Sequence, residues 1–179
     1  MADPWAAGKT GCLCTFMETK TLTHPFDPVY DGNCRILILG TFPSVKSREN
    51  AFYYGHPQNR FWRMLAAVYE EPVPAGVPEK RALLLRHHIA LWDVIGGCEI
   101  TGSADSSIRS PEPNDLPALM KKCPIERILL NGKTAERIYL KHWNTLPVEH
   151  IALPSTSPAN AACSLERLTA EWGRALKMD

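Results

Sequence analysis

Short unbroken apolar runs alternate along this chain with stretches in which apolar residues return every three or four positions. Arg35-Ile36-Leu37-Ile38-Leu39-Gly40 is such a run closed by glycine, the pattern of a strand buried on both faces. Phe61, Met64, Leu65 and Val68 recur at helical spacing and predict an amphipathic helix over about 58–70. Glu71 to Pro78 holds three prolines and a glycine and reads as a loop. Pro78-Glu79-Lys80 opens a second helix, carrying Leu83, Leu84 and Leu85 and ending near His87-His88. Ile89 to Ile95 is a second apolar run. Gly96 to Pro117, polar and rich in Gly, Ser and Pro, reads as a long loop. A short helix around 115–122 follows, then a strand over Ile125–Leu130 stopped by Asn131-Gly132, a helix over Lys133–Trp143 and a strand over Val148–Leu153. Ser164 suits a helix N-cap, and Leu165, Leu168, Trp172, Ala175 and Leu176 line one face of the last helix.

This alternation predicts an α/β protein, a three-layer α/β/α sandwich around a central four-stranded, mostly parallel sheet. Residues 1–20 read as an irregular N-terminal tail and 21–179 as a single domain. Ligands of such sheets bind beyond the carboxyl ends of the strands. That rule nominates the loops after Leu39, Ile95 and Leu153 and the Asn131-Gly132 turn.

Composition narrows the classes. With 179 residues, 45% apolar and 22% charged, the chain is long enough for one core and too apolar for a disordered segment. No apolar run reaches the length of a membrane span, and the first residues do not read as a signal peptide, so a cytoplasmic protein is expected. Twenty Lys and Arg against 19 Asp and Glu leave a net charge of +1, which disfavours a strongly basic nucleic-acid coat protein and leaves room for a local basic patch. The cysteines at 12, 14, 34, 98, 123 and 163 read as reduced thiols, since Cys12 and Cys14 have one residue between them and no C-x-x-C pair exists. No metal and no cofactor is expected. Neither G-x-G-x-x-G nor G-x-x-x-x-G-K-[ST] is present.

Two of the nominated loops carry unusual chemistry. Gly40-Thr41-Phe42-Pro43-Ser44 runs on to Phe52-Tyr53-Tyr54-Gly55-His56-Pro57-Gln58-Asn59-Arg60-Phe61-Trp62. Aromatic faces beside amide and guanidinium groups suit a planar heterocycle that is stacked and read at its edge. The same residues would also serve a loop-to-helix cap whose aromatics are plain core. Leu153-Pro154-Ser155-Thr156-Ser157-Pro158-Ala159-Asn160 offers hydroxyls and backbone amides suited to phosphate, or a polar lead-in to the cap at Ser164.

Together these loops give the chain a resemblance to the uracil-DNA glycosylase superfamily, and within it to the hypoxanthine-DNA glycosylase branch, also called DNA-deoxyinosine glycosylase. Gly40 to Ser44 stands where the superfamily has its first motif. Tyr54 to Trp62 is similar to the F-A-H-P-x-N-R-F-W stretch of the mismatch-specific enzymes, and Leu153 to Asn160 stands at the second motif. The likeness extends over about 35–176. Many members place Asp or Asn where this chain has Phe42, and Ser155 stands at the His or Asn of the second motif.

The resemblance implies a monofunctional repair enzyme that flips out a deaminated base, hypoxanthine before uracil, and hydrolyses its N-glycosidic bond. It implies Asn59 as the catalytic residue that orients water. Phe42, Tyr54, His56 and Asp93 are its candidate base contacts, with Tyr54 stacking and Asp93 accepting the N1–H of hypoxanthine or else capping the loop. Ser44, Arg60, Ser155, Thr156, Ser157, Ala159 and Asn160 are the candidate DNA contacts. Arg60, Arg63, Lys133 and the hydroxyl loop at 155–157 should form a modest positive groove at the strand carboxyl ends; Lys46 and Lys133 could in principle form a strand-nicking Schiff base with the sugar, but neither stands at a matched catalytic position. The expected partner is double-stranded DNA carrying a deaminated base, with single-stranded DNA left open, and the expected state a monomer. A broader uracil-type glycosylase and a catalytically weak lesion-binding protein on the same scaffold stay open.

Overall fold

In the computed structural model, which describes residues 19–101 and 108–177, the elements run β1 (Thr19–Thr23), β2 (Ile36–Gly40), α1 (Val45–Glu49), α2 (Phe61–Tyr69), α3 (Val77–Arg86), β3 (Ile89–Asp93) and β4 (Ile95–Thr101). They continue with β5 (Arg109–Pro113), α4 (Leu116–Met120), β6 (Arg127–Asn131), α5 (Lys133–Trp143), β7 (Glu149–Leu153) and α6 (Leu165–Leu176). All five residues of β2 are buried because the strand lies inside a four-stranded sheet of order β3-β2-β6-β7, parallel throughout. Its side chains divide by parity, as a pleated strand requires. Ile36 and Ile38 face a core built with Phe61, Leu65, Leu84, Leu168 and Trp172, from α2, α3 and α6. Leu37 and Leu39 face the other core, with Leu116, Leu119, Ile138 and Tyr139, from α4 and α5. These are the three expected layers.

The chain departs from the sequence-based expectation in the segment from Gly96 to Pro117. It is no plain loop: β4 and β5 lie there, and β1-β4-β5 form a second, antiparallel sheet. Two glycines in β4 and two prolines in β5 hide the strands from propensity reasoning, and pairing across to β1 supplies what composition lacks. Thr19 and Lys20, placed in the irregular tail by sequence, belong to β1. Residues 1–18, the rest of that tail with Cys12 and Cys14, lie outside the described residues. The run Ile89–Ile95 also proves to be two strands. It leaves the parallel sheet after Asp93, where Val94 N donates to Gly40 O (2.9 Å), and enters the second sheet at Ile95. Among the described residues, no helix is long and apolar enough to cross a membrane.

Candidate active site

The carboxyl ends of β2, β3 and β6 open into a narrow cleft of about 90 Å³. Its walls include Gly40, Phe42, Ser44, Tyr54, Asn59, Asp93, Asn131, Ser155, Thr156 and Ser157. Three loops nominated by the sheet rule therefore meet in one place, and the switch at Val94 delivers Asp93 as the last residue of its strand.

Gly40 explains how the cleft closes. A Cβ there would collide with Asp93 Oδ1 and lie 2.8 Å from Tyr54 Oη, so the carboxylate and the phenol occupy the space a side chain would take. Tyr54 itself sits at φ 52°, a left-handed conformation that costs a bulky residue on the order of 1–3 kcal/mol and recurs where function demands it. Its ring stacks on the buried Phe61 (4.1 Å between centroids, 24° between planes), which gives it a rigid backing. Phe52 and Trp62 are core, and Tyr53 is core that also backs the cleft: Phe52 stacks on Trp62, Trp62 Nε1 donates to Tyr53 O and Tyr53 Oη to Asp27 O. Burial pushes the Tyr53 hydroxyl's pKa up and keeps it neutral.

Asn59 lines the cleft with its side-chain Oδ1 accepting from Phe61 N (3.0 Å) at the start of α2. His56 lies outside the cleft lining, and its Nδ1 accepts from Gln58 N (3.1 Å), so it braces the loop. Ser44 caps α1 through Ser47 N (3.2 Å), and the buried Ser47 takes up Gly55 N (3.1 Å), which ties the two halves of the first loop together.

Arg60, one of the expected DNA contacts, is held by the fold itself. Its Nη2 donates to Ser157 O (2.8 Å) and Asn160 O (2.9 Å), its Nη1 to Cys163 O, and its Nε reaches Thr156 O (3.4 Å). The half-buried guanidinium is engaged with the second loop. It pins that loop to the start of α2.

Thr156 is likewise interior, fully buried and doubly held by Asn131, whose Nδ2 donates to Oγ1 (3.0 Å) and whose Oδ1 accepts from Thr156 N (3.0 Å). Gly132 follows at φ 97°, and a Cβ there would strike Ser155, so only glycine lets β6 turn beneath the loop. Ser155 and Ser157 accept from Ser157 N and Ala159 N (3.2 Å each), which leaves each hydroxyl its own proton to donate. Asn160 Nδ2 donates to Ser155 O (2.9 Å), and Ala159 is exposed beside it. A wider groove adjoins this loop, lined by Lys133, Ser155, Ser157, Asn160 and Arg167 but also by Glu136 and Glu171, so it is of mixed charge. Arg63 and Lys133 are exposed, while Lys46 pairs with Glu49 (2.7 Å) and, like Lys133, does not line the cleft.

Sequence reasoning missed His24. Its Nε2 donates to Asp93 Oδ2 (2.8 Å), and both side chains are almost wholly buried. The faint signal was the polar–apolar alternation Thr21-Leu22-Thr23 that delivers it. Phe42 packs edge-on against that imidazole (5.8 Å) and contributes no polar group. Among the described residues, no three His, Cys, Asp or Glu side chains gather that could hold a metal ion.

Residues 28–176 match the family model described as the uracil DNA glycosylase superfamily. A hypoxanthine DNA glycosylase of Methanosarcina acetivorans is 38% identical over 149 residues, covering 82% of this chain and 93% of that protein. A second of that description, from Methanosarcina barkeri, is 34% identical over 154 residues, covering 85% and 96%. The solution NMR structure of a proposed uracil DNA glycosylase from Methanosarcina acetivorans superposes with a TM-score of 0.77 at 34% identity, over 88% of this chain and 97% of that one.

Proposed function

Because the chain belongs to the uracil DNA glycosylase superfamily and so is a DNA glycosylase, we propose that it excises deaminated bases, hypoxanthine first, by hydrolysis without strand nicking. The observation that carries this reading is the meeting of Asp93, Tyr54 and Asn59 in one cleft beyond β2 and β3. Extrusion of the nucleotide costs a few kcal/mol, least where pairing is already weak. Tyr54, backed by Phe61, offers a stacking platform. Asp93 Oδ1 is the acceptor for the base's ring N–H, as Oδ2 is engaged by His24.

Bond cleavage builds positive charge on the sugar and negative charge on the departing base, so fixed dipoles do most of the work. An amide is too weak a base to deprotonate water. Asn59 orients it instead, with Nδ2 as a donor and Oδ1 retaining a second lone pair beyond the one given to Phe61 N. Ser155 and Ser157 donate to phosphate. The substrate is double-stranded DNA and the working form a monomer.

The test is alkaline cleavage of labelled duplexes containing deoxyinosine, deoxyxanthosine or deoxyuridine. Deoxyinosine should be cut fastest, and no cleavage of any of the three would overturn the reading. Asn59→Ala should keep DNA binding while base release falls by about 10²–10³-fold, the usual scale for one positioned dipole. An unchanged rate would remove Asn59 from the mechanism.

A further inference from the structure

We propose that His24 is a positioning residue that fixes Asp93 as an acceptor-only reader, so that the cleft accepts bases bearing a ring N–H and turns away bases with a ring-nitrogen lone pair there. This rests on the function proposed above.

His24 enters from the second sheet, 69 residues before its partner. It is held independently of Asp93: its backbone N donates to Gly96 O (2.7 Å), and its ring meets Phe26 and Phe42 edge-on (5.6 and 5.8 Å) and Tyr53 at a tilt (5.8 Å). On its other side Nδ1 lies 3.2 Å from Phe26 N and 2.9 Å from Phe26 O. Accepting from the amide leaves the neutral ring its proton on Nε2, and donating to the carbonyl requires the doubly protonated ring. With a carboxylate as partner, Nε2 carries a proton in both arrangements. Among the described residues, His24 makes the ion pair that reaches Asp93.

The consequence follows from lone pairs. A buried carboxylate needs a donor, and His24 satisfies Oδ2. Oδ1, poised over Gly40 beside Tyr54 Oη, is then an acceptor with no proton to offer. Deamination turns the N1 of adenine from acceptor into N1–H donor. An acceptor-only Oδ1 bonds the damaged base and repels its parent at the atom that deamination changes. Guanine also carries N1–H, so its exclusion falls to other walls of the cleft. Without His24, Oδ2 loses its donor and the carboxylate is free to rotate, so its acceptor no longer stands fixed where the damaged base presents its N–H.

The test uses the full chain and two duplexes, one with deoxyinosine and one with deoxynebularine, a smaller purine whose N1 is a bare acceptor. The ratio of the two excision rates does not depend on the folded fraction, and the intrinsic difference between leaving groups cancels between variants. His24→Ala should shrink the wild-type ratio by about tenfold or more, the scale of one hydrogen bond to a charged group. His24→Gln, whose amide N–H can donate to Oδ2, should restore most of it. Equal losses on both substrates would make His24 merely structural and overturn the proposal, as would an unchanged ratio. Failure of the underlying function would look different, because the wild-type protein would then release neither base.

Discussion

Removing the Arg60 guanidinium separates two roles that lead to opposite observations. In the structure its donors reach four carbonyl oxygens, at Thr156, Ser157, Asn160 and Cys163. Hydrogen bonds of charged groups contribute about 1.5–3 kcal/mol each, and the contacts to Ser157 and Asn160 have the geometry to do so. The 3.4 Å contact to Thr156 adds little, and the half-exposed loop lets water reach carbonyls that lose their donor. Arg60→Ala should therefore cost about 3 kcal/mol, below the simple sum, lowering the melting temperature by about 6–12 °C for a chain of this length. The bond from Arg60 N to Thr156 O (3.1 Å) survives the change and keeps the loop near its place. Arg60→Lys should rescue little, since one ammonium cannot span carbonyls spread over eight residues of loop. Urea unfolding measures the stability, and the salt dependence of binding to undamaged duplex measures the phosphate role. An unchanged melting temperature, with the slope of log K against log salt reduced by about 0.9, would show a phosphate contact and refute the reasoning.

Gly40→Ala should leave the fold intact and cut deoxyinosine release by about 100-fold, because the new methyl displaces Asp93 and Tyr54 and misplacement by about 1 Å commonly costs that much; near-wild-type rates would show that the close approach is unimportant. Tyr54→Ala should weaken binding to an inosine duplex by about 1–3 kcal/mol while leaving binding to undamaged duplex alone, and unchanged lesion affinity would remove the stacking role. Burial pushes the Cys34 thiol up to about 12 against an ordinary 9.0, so mass mapping after native iodoacetamide treatment at pH 8 should find it unlabelled, and rapid labelling would contradict its burial. The same shift makes the folded chain hold a proton that the unfolded chain releases above pH 9, so Cys34 contributes a loss of stability as pH rises from about 9 to 12, measurable in urea titrations.

The parallel sheet was readable because β2 is buried throughout and β6 everywhere but at Arg127, and burial on both faces leaves an unbroken apolar run in the sequence. Helix α5 was readable to its first and last residue because Gly132 and Asn144 bracket a periodic stretch. The second sheet was not, since Arg-Ser-Pro-Glu-Pro becomes a strand only by pairing with β4. At the site, the family resemblance brought Asn59, Tyr54 and Asp93 into consideration, and each stands in or beside a loop at a strand end. That Arg60 and Thr156 are gripped by the fold was not legible, since a sequence shows a donor and not where its acceptors lie. His24 was invisible for the same reason: its meaning resides in a partner 69 residues away.

The pin between Arg60 and the carbonyls of 156–163 also bears on how the molecule comes into being. A chain emerging vectorially from the ribosome presents the first loop and α2 long before Ser157, Asn160 and Cys163 exist. Until those residues arrive, the guanidinium has only water, Asn131 has no Thr156 to grip, and one wall of the cleft is missing. A nascent chain is therefore catalytically silent until Cys163 has been added, when a late loop completes a site whose other residues have been waiting.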